Sequence, residues 1–309
     1  MWFILAVLAL IGWGAEDIFI KTGTDSRDEL SQYRLAALTG LVFFVAGLLV
    51  TPFSMGWVEL FHTMVANPIM FLVPLLYGFM SMMSNIGYRY LEAGMIAPLE
   101  NAGGAFSTIL FLCWYFYIGK LDSVWEQITK FDVVGTIMIV VGIILLGIVE
   151  QEGTIFSHNK LGALAFLFPL LYCFIDTFDT VVCGVILSEE SGVEVSPCDY
   201  FLIYALCFAV EGLISWLYVR YKEGSEVSKF GNSYGQFLIA AVLEVGATFG
   251  YSIAMEIEPM YTAVIVAPYC IVTELGSYHY LKERFTKGQY LCIATVVVGI
   301  LLMGFQELF

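Results

Sequence analysis

Val140-Val141-Gly142-Ile143-Ile144-Leu145-Leu146-Gly147 is read again, 157 residues later, as Val297-Val298-Gly299-Ile300-Leu301-Leu302-Met303-Gly304. Each copy lies in an apolar run close to the roughly 20 residues that a helix needs to cross a bilayer. Ten such runs follow one another, at about 2–21, 34–53, 69–88, 95–117, 132–149, 162–187, 200–219, 236–255, 260–281 and 288–305. The chain is 60% hydrophobic and 13% charged, with a mean hydropathy of +0.84. A soluble chain is roughly 45–50% apolar and 25% charged. The expected fold is therefore all-α, a polytopic membrane protein of ten transmembrane helices whose short connections leave no room for a soluble domain.

The repetition extends outward from that stretch. At a shift of 165, Val45-Ala46-Gly47-Leu48 lies on Val210-Glu211-Gly212-Leu213. A shift of 163 sets Gly87-Tyr88 on Gly250-Tyr251 and Tyr115-Phe116-Tyr117 on Tyr278-His279-Tyr280, and 159 sets Trp13 on Tyr172 and Asp17 on Asp176. The offset changes in loops, where insertions are tolerated. Chance apolar matches are common, but five helices recurring in one order make two five-helix repeats, 1–150 and 151–309. An odd number of spans per repeat inserts the two with opposite orientation. Secondary transporters use this inverted arrangement, with the substrate near the membrane midplane between the halves.

Trp13-Gly14-Ala15-Glu16-Asp17-Ile18-Phe19-Ile20-Lys21 resembles the first helix of the drug/metabolite transporter superfamily, EamA type. Pro268 through Tyr280-Leu281-Lys282-Glu283-Arg284, with Gln289 and Gly299, is similar to that family's ninth and tenth helices. The first half departs from the pattern: its corner reads Gly119-Lys120-Leu121-Asp122 before a longer loop, and Ala105 stands where the second half has Pro268. The resemblance implies ten helices in two inverted bundles around a central cavity. It further implies that helices one, three, four, six, eight and nine line the cavity, and that both termini are cytoplasmic. The basic residues point the other way. The odd-numbered loops hold eleven Lys and Arg and the even-numbered ones only Lys120 and Lys130, which by the positive-inside rule puts both termini outside. Orientation stays open.

Carboxylates inside the apolar runs are the main functional signal, because an ionisable group at membrane depth costs several kcal/mol unless it faces protein or a watered cavity. Asp17 is the first candidate, with an i,i+4 ion pair to Lys21 as the competing reading. Its counterpart Asp176 has no basic neighbour on its helix, and Asp179 lies one turn further on the same face. Glu244 stands alone among small and apolar residues, on a helix that the resemblance assigns to the cavity; Glu211 is similarly isolated, on a helix less often central. For both, the structural alternative is a protonated carboxyl bonded to a neighbouring helix. Glu100 follows Pro98 and precedes Asn101, Gly103 and Gly104, a setting for a bent helix that exposes backbone carbonyls, or for close helix packing. Glu16, Glu211, Glu274 and His279 are secondary candidates, the last two as an edge-of-membrane pair or gate. Among the deep aromatics Trp13, Tyr77, Tyr172, Phe178, Tyr204, Tyr261 and Tyr269, the faces of Trp13, Tyr77, Tyr172 and Tyr269 suit a cation. Trp57, Trp125, Tyr218, Tyr221 and Tyr290 read as an interfacial belt.

The seven cysteines show no disulfide or metal spacing. Met1–Trp2 opens the first run without a basic leader, so a cleaved signal peptide is not expected. No zinc helix, nucleophile elbow or phosphate loop is present. The expectation is thus no enzyme, cofactor, metal site or nucleic-acid partner. The expected activity is secondary active transport, by alternating access, of a small cationic or zwitterionic metabolite such as a choline-like amine or an amino acid, with protons as the coupling ion. Export of neutral amino acids or lipophilic cationic drugs is the alternative, and a non-transporting sensor or intramembrane enzyme the alternative of another class. The expected setting is a cell membrane, read as a bacterial cytoplasmic membrane, with the chain a monomer or homodimer.

Overall fold

The computed structural model describes residues 1–25, 28–123, 128–152, 162–188, 191–223 and 233–307, and these contain helices and connections with no strand. Trp125, His158, Glu189, Glu190 and Lys229 lie outside the described residues. The helices are α1 (Trp2–Gly23), α2 (Ser31–Val50), α3 (Trp57–Ala66), α4 (Ile69–Ser84), α5 (Ala93–Tyr117), α6 (Lys130–Glu152), α7 (Gly162–Leu187), α8 (Pro197–Glu223), α9 (Ser233–Ile257), α10 (Pro259–Val266), α11 (Cys270–Gly276) and α12 (Lys287–Glu307). Helix occupies each of the ten expected runs. Among the described residues, eight stretches are long and apolar enough to span a membrane. The last expected run is represented by a shorter apolar helix, Lys287–Met303. The protein is an all-helical, polytopic membrane protein.

The outward faces carry the apolar surface that lipid requires. Ile4, Leu8 and Ile11 on α1, Leu41, Phe44 and Leu48 on α2, and Ile137, Val140 and Ile144 on α6 are all exposed. In water such a surface would mark an interaction site. The sequence did not announce α3. Leu60 and Met64 anchor it while Val58, Phe61 and Val65 remain exposed, the pattern of a short helix lying in the interface.

Two prolines behave differently from each other. Pro98 does not break α5, and Pro74 in α4 and Pro169 in α7 likewise sit inside continuous helices. Pro268 does break the ninth run. A 3-10 turn at Ala267–Tyr269 separates α10 from α11, with Pro268 at φ −81° and ψ 22°. A π turn, Ser277–Leu281, then ends the run with Lys282 at φ 63°.

Inside the bundle, α2 packs on α8, α1 on α9, α6 on α12, α5 on α7 and α4 on α7. Lipid supplies no hydrophobic drive between helices, so small residues that let backbones meet carry these contacts. Gly40 faces Gly212 and the carbonyl of Phe208, and Gly135 faces the carbonyl of Gly299. A β-carbon at Gly212 would sit 2.8 Å from Gly40 Cα and 3.0 Å from Ala36 O. Gly212→Val is therefore expected to cost about 1–3 kcal/mol through overpacking, read as a lower Tm of the detergent-purified chain. Gly235→Ala, which meets nothing within 4 Å, should leave Tm in place.

Candidate functional site

The broken ninth run, α1, α4, α5, α7 and α9 surround a central cavity with about 870 Å³ of atom-free space, part of it open to the outside. Six carboxylates line it: Glu16, Asp17, Glu100, Asp176, Asp179 and Glu244. No Lys, Arg or His does so among the described residues. Trp13, Tyr77, Tyr88, Tyr172, Tyr204, Tyr251 and Tyr269 supply aromatic walls. The 3-10 turn at Pro268 matters here, because Ala263, Val266, Ala267 and Tyr269 around it all reach the lining.

Asp17 is buried on α1 and held by neutral donors alone. Tyr88 Oη donates to its Oδ1 at 2.7 Å, and Thr273 Oγ1 to its Oδ2 at 2.7 Å. The ion pair with Lys21 is not formed. Lys21 Nζ instead donates to the carbonyls of Tyr88 (2.9 Å) and Leu91, satisfying the chain where α4 gives way to α5. Tyr88 Oη also lies 3.2 Å from Glu100 Oε2, and Ser84 Oγ donates to Glu100 Oε1. A phenol has a single proton to give, so two carboxyl groups share one donor. Thr248 Oγ1 lies 3.2 Å from Glu244, and Glu16 and Trp13 approach the same carboxyl. Two carboxyl groups so placed need a proton or a cation between them. On the opposite wall, Tyr204 Oη donates to Asp179 Oδ2 at 2.5 Å and Tyr172 Oη to Tyr77 Oη at 2.9 Å. Asp176, half-buried, reaches across to the backbone of Gly103, where a β-carbon would sit 2.6 Å from its Oδ2.

All nine principal candidates from the sequence, Asp17, Asp176, Asp179, Glu244, Glu100, Trp13, Tyr77, Tyr172 and Tyr269, meet in this one cavity, as does Glu16. The other secondary candidates do not. Glu211 is buried between α8 and α4 against Gly78. Glu274 packs towards Gly94, and His279 is exposed in the π turn, so no Glu274–His279 pair forms. Of the deep aromatics, Phe178 points outward and Tyr261 packs on Trp2 at one end of the bundle. Sequence reasoning passed over Tyr88, Ser84, Thr273, Thr180 and Tyr251 as site residues. The repeated Gly-Tyr pair at 87–88 and 250–251 was the available signal for two of them.

Comparison with known proteins adds the fold alone. No family model matches the chain, and no curated protein matches it. A solved structure described only as "Crystal structure of protein" aligns over 100% of this chain and 99% of its own, at 12% identity and a TM-score of 0.63. Fold and cavity together define a class: a helical membrane protein built round a buried, carboxylate-lined, aromatic-walled chamber.

Replacing Tyr88 with Phe leaves Asp17 Oδ1 and Glu100 Oε2 without their shared donor, at an expected cost of about 1–3 kcal/mol. A thermal melt should register it as a fall in Tm. Tyr221→Phe, at an exposed position, should not shift the melt.

Proposed function

We propose that the chain is a secondary active transporter that carries a small cationic or zwitterionic metabolite through the central cavity by alternating access. The observation that carries this reading is the lining itself, six carboxylates without a base. A bound cation would satisfy buried negative charge that the protein does not compensate, and aromatic faces add about 0.5–2 kcal/mol each to a desolvated cation. An anion entering the same space meets repulsion from every wall. Proton antiport is the coupling such a lining permits, since carboxyl groups left without substrate can take protons instead.

Two inverted five-helix repeats are part of the proposal, and reciprocal contacts support them. Gly135 and Ile139 of α6 touch Gly299 of α12, while their counterparts at the 157-residue shift, Cys292 and Val296, touch Gly142, the counterpart of Gly299. At the 165-residue shift, Gly47 against Ala205 becomes Gly212 against Gly40, and both contacts exist. At 163, Gly104 against Ala267 exchanges with itself, and both residues line the cavity. Packing between unlike partners follows the same exchange: α1 lies on α9, and α7, the counterpart of α1, lies on α4. These relations are the ones that an approximate two-fold axis through the chamber would produce. They support the resemblance to the drug/metabolite transporter superfamily, EamA type, and an alternating motion of one half against the other.

Flux of labelled choline-like amines and amino acids into proteoliposomes tests the proposal. Uptake or exchange of at least one cation or zwitterion is expected, and none across such a panel would overturn it. Asp176→Asn and Glu244→Gln should each weaken substrate affinity at least tenfold, about 1.4 kcal/mol. Glu211→Gln, outside the cavity, should stay within about threefold by the same relation.

A further inference from the structure

We infer that the cavity takes a linear dication, an α,ω-diamine or a longer polyamine, with its two ammonium groups at separate acceptor poles. This rests on the cation-transport reading above and narrows the substrate class of the same site. Two buried oxygens in the lining have no hydrogen-bond partner among the described residues: Asn101 Oδ1 and Asp179 Oδ1. Asn101 is 2% exposed and Asp179 4%. An orphaned buried acceptor costs about 1–3 kcal/mol, and an ammonium group brings three donors and no acceptor.

The two acceptors stand on different helices and at different depths. Asn101 Nδ2 is committed to the Ala97 carbonyl at 2.6 Å, which leaves its Oδ1 for a ligand in the lining that Asp17, Tyr88 and Glu100 share. Asp179 has given one oxygen to Tyr204 and keeps the other free. Gly103 of α5 packs against Asp176 of α7, and Phe111 further along α5 packs against Gly184 further along α7, so the helices run in the same direction. Asn101 lies two residues before that Gly103–Asp176 contact and Asp179 three residues beyond it. At about 1.5 Å per residue the poles are roughly 7–8 Å apart along the bundle. An extended chain of four or five carbons between two ammonium groups spans that offset along the bundle, in a cavity that Tyr77, Tyr172 and Tyr269 also line. A dication also serves two acceptors at once, in a lining of six carboxyl groups with no basic side chain among the described residues.

Isothermal titration of the detergent-purified full chain with 1,4-diaminobutane and with 1-aminobutane, at one pH and ionic strength, tests this. The diamine is expected to bind at least tenfold more tightly than the monoamine. Asp179→Asn should bring the diamine to within about threefold of the monoamine, while Glu211→Gln, outside the cavity, should keep the tenfold preference. Equal affinities in the native chain would overturn the dication inference and leave the cation reading standing. No binding of either amine, of choline or of any amino acid would overturn both.

Discussion

Buried negative charge without a counter-ion is the constraint on which this structure turns. A carboxyl group buried without a partner takes up a proton or needs a counter-charge, and here six line a chamber with no basic side chain among the described residues. The chain meets part of that need with neutral donors. Tyr88, Thr273 and Ser84 serve Asp17 and Glu100, Tyr204 serves Asp179, and Thr248 serves Glu244. Asn101 Oδ1 and Asp179 Oδ1 remain open. The site is polar enough to persist without a ligand, and still lacks positive charge.

Holding those carboxylates in place is a packing problem. The walls belong to helices drawn from both halves, and glycine contacts bring their backbones together. Gly103 lets α7 approach α5 closely enough for Asp176 to reach across, and Gly104 lets Ala267 come close at the Pro268 turn. In lipid such close contacts replace the hydrophobic drive of a soluble core. Lys21 illustrates the division of labour. It is spent on the carbonyls of Tyr88 and Leu91 at the end of the bundle, and so does not neutralise Asp17 one turn away.

Much of this was legible in the sequence because the relevant signals are one-dimensional. Apolar run length marked where helices lie, and an acid without a nearby base marked the faces that meet in the cavity. Asp176, Asp179, Glu100 and Glu244 were found that way, and Asp17 as the repeat counterpart of Asp176. Glu211 carries the same one-dimensional signal, yet it faces α4 outside the chamber, because rotation about a helix that is apolar all round leaves no periodicity to read. Tyr88 and Thr273 were missed for a related reason. A hydroxyl serving a carboxylate 71 or 256 positions away leaves no trace in local spacing. Proline was ambiguous too: Pro98 sits inside a continuous helix while Pro268 marks a break.

The central claim is that uncompensated carboxylates, more than apolar shape, select what the cavity holds. Titration of the purified protein with choline and with its uncharged carbon isostere, 3,3-dimethyl-1-butanol, isolates that single difference at nearly constant size. The account predicts that choline binds at least tenfold more tightly than the neutral alcohol, about 1.4 kcal/mol or more in favour of charge. Equal affinities, or tighter binding of the alcohol, would contradict it.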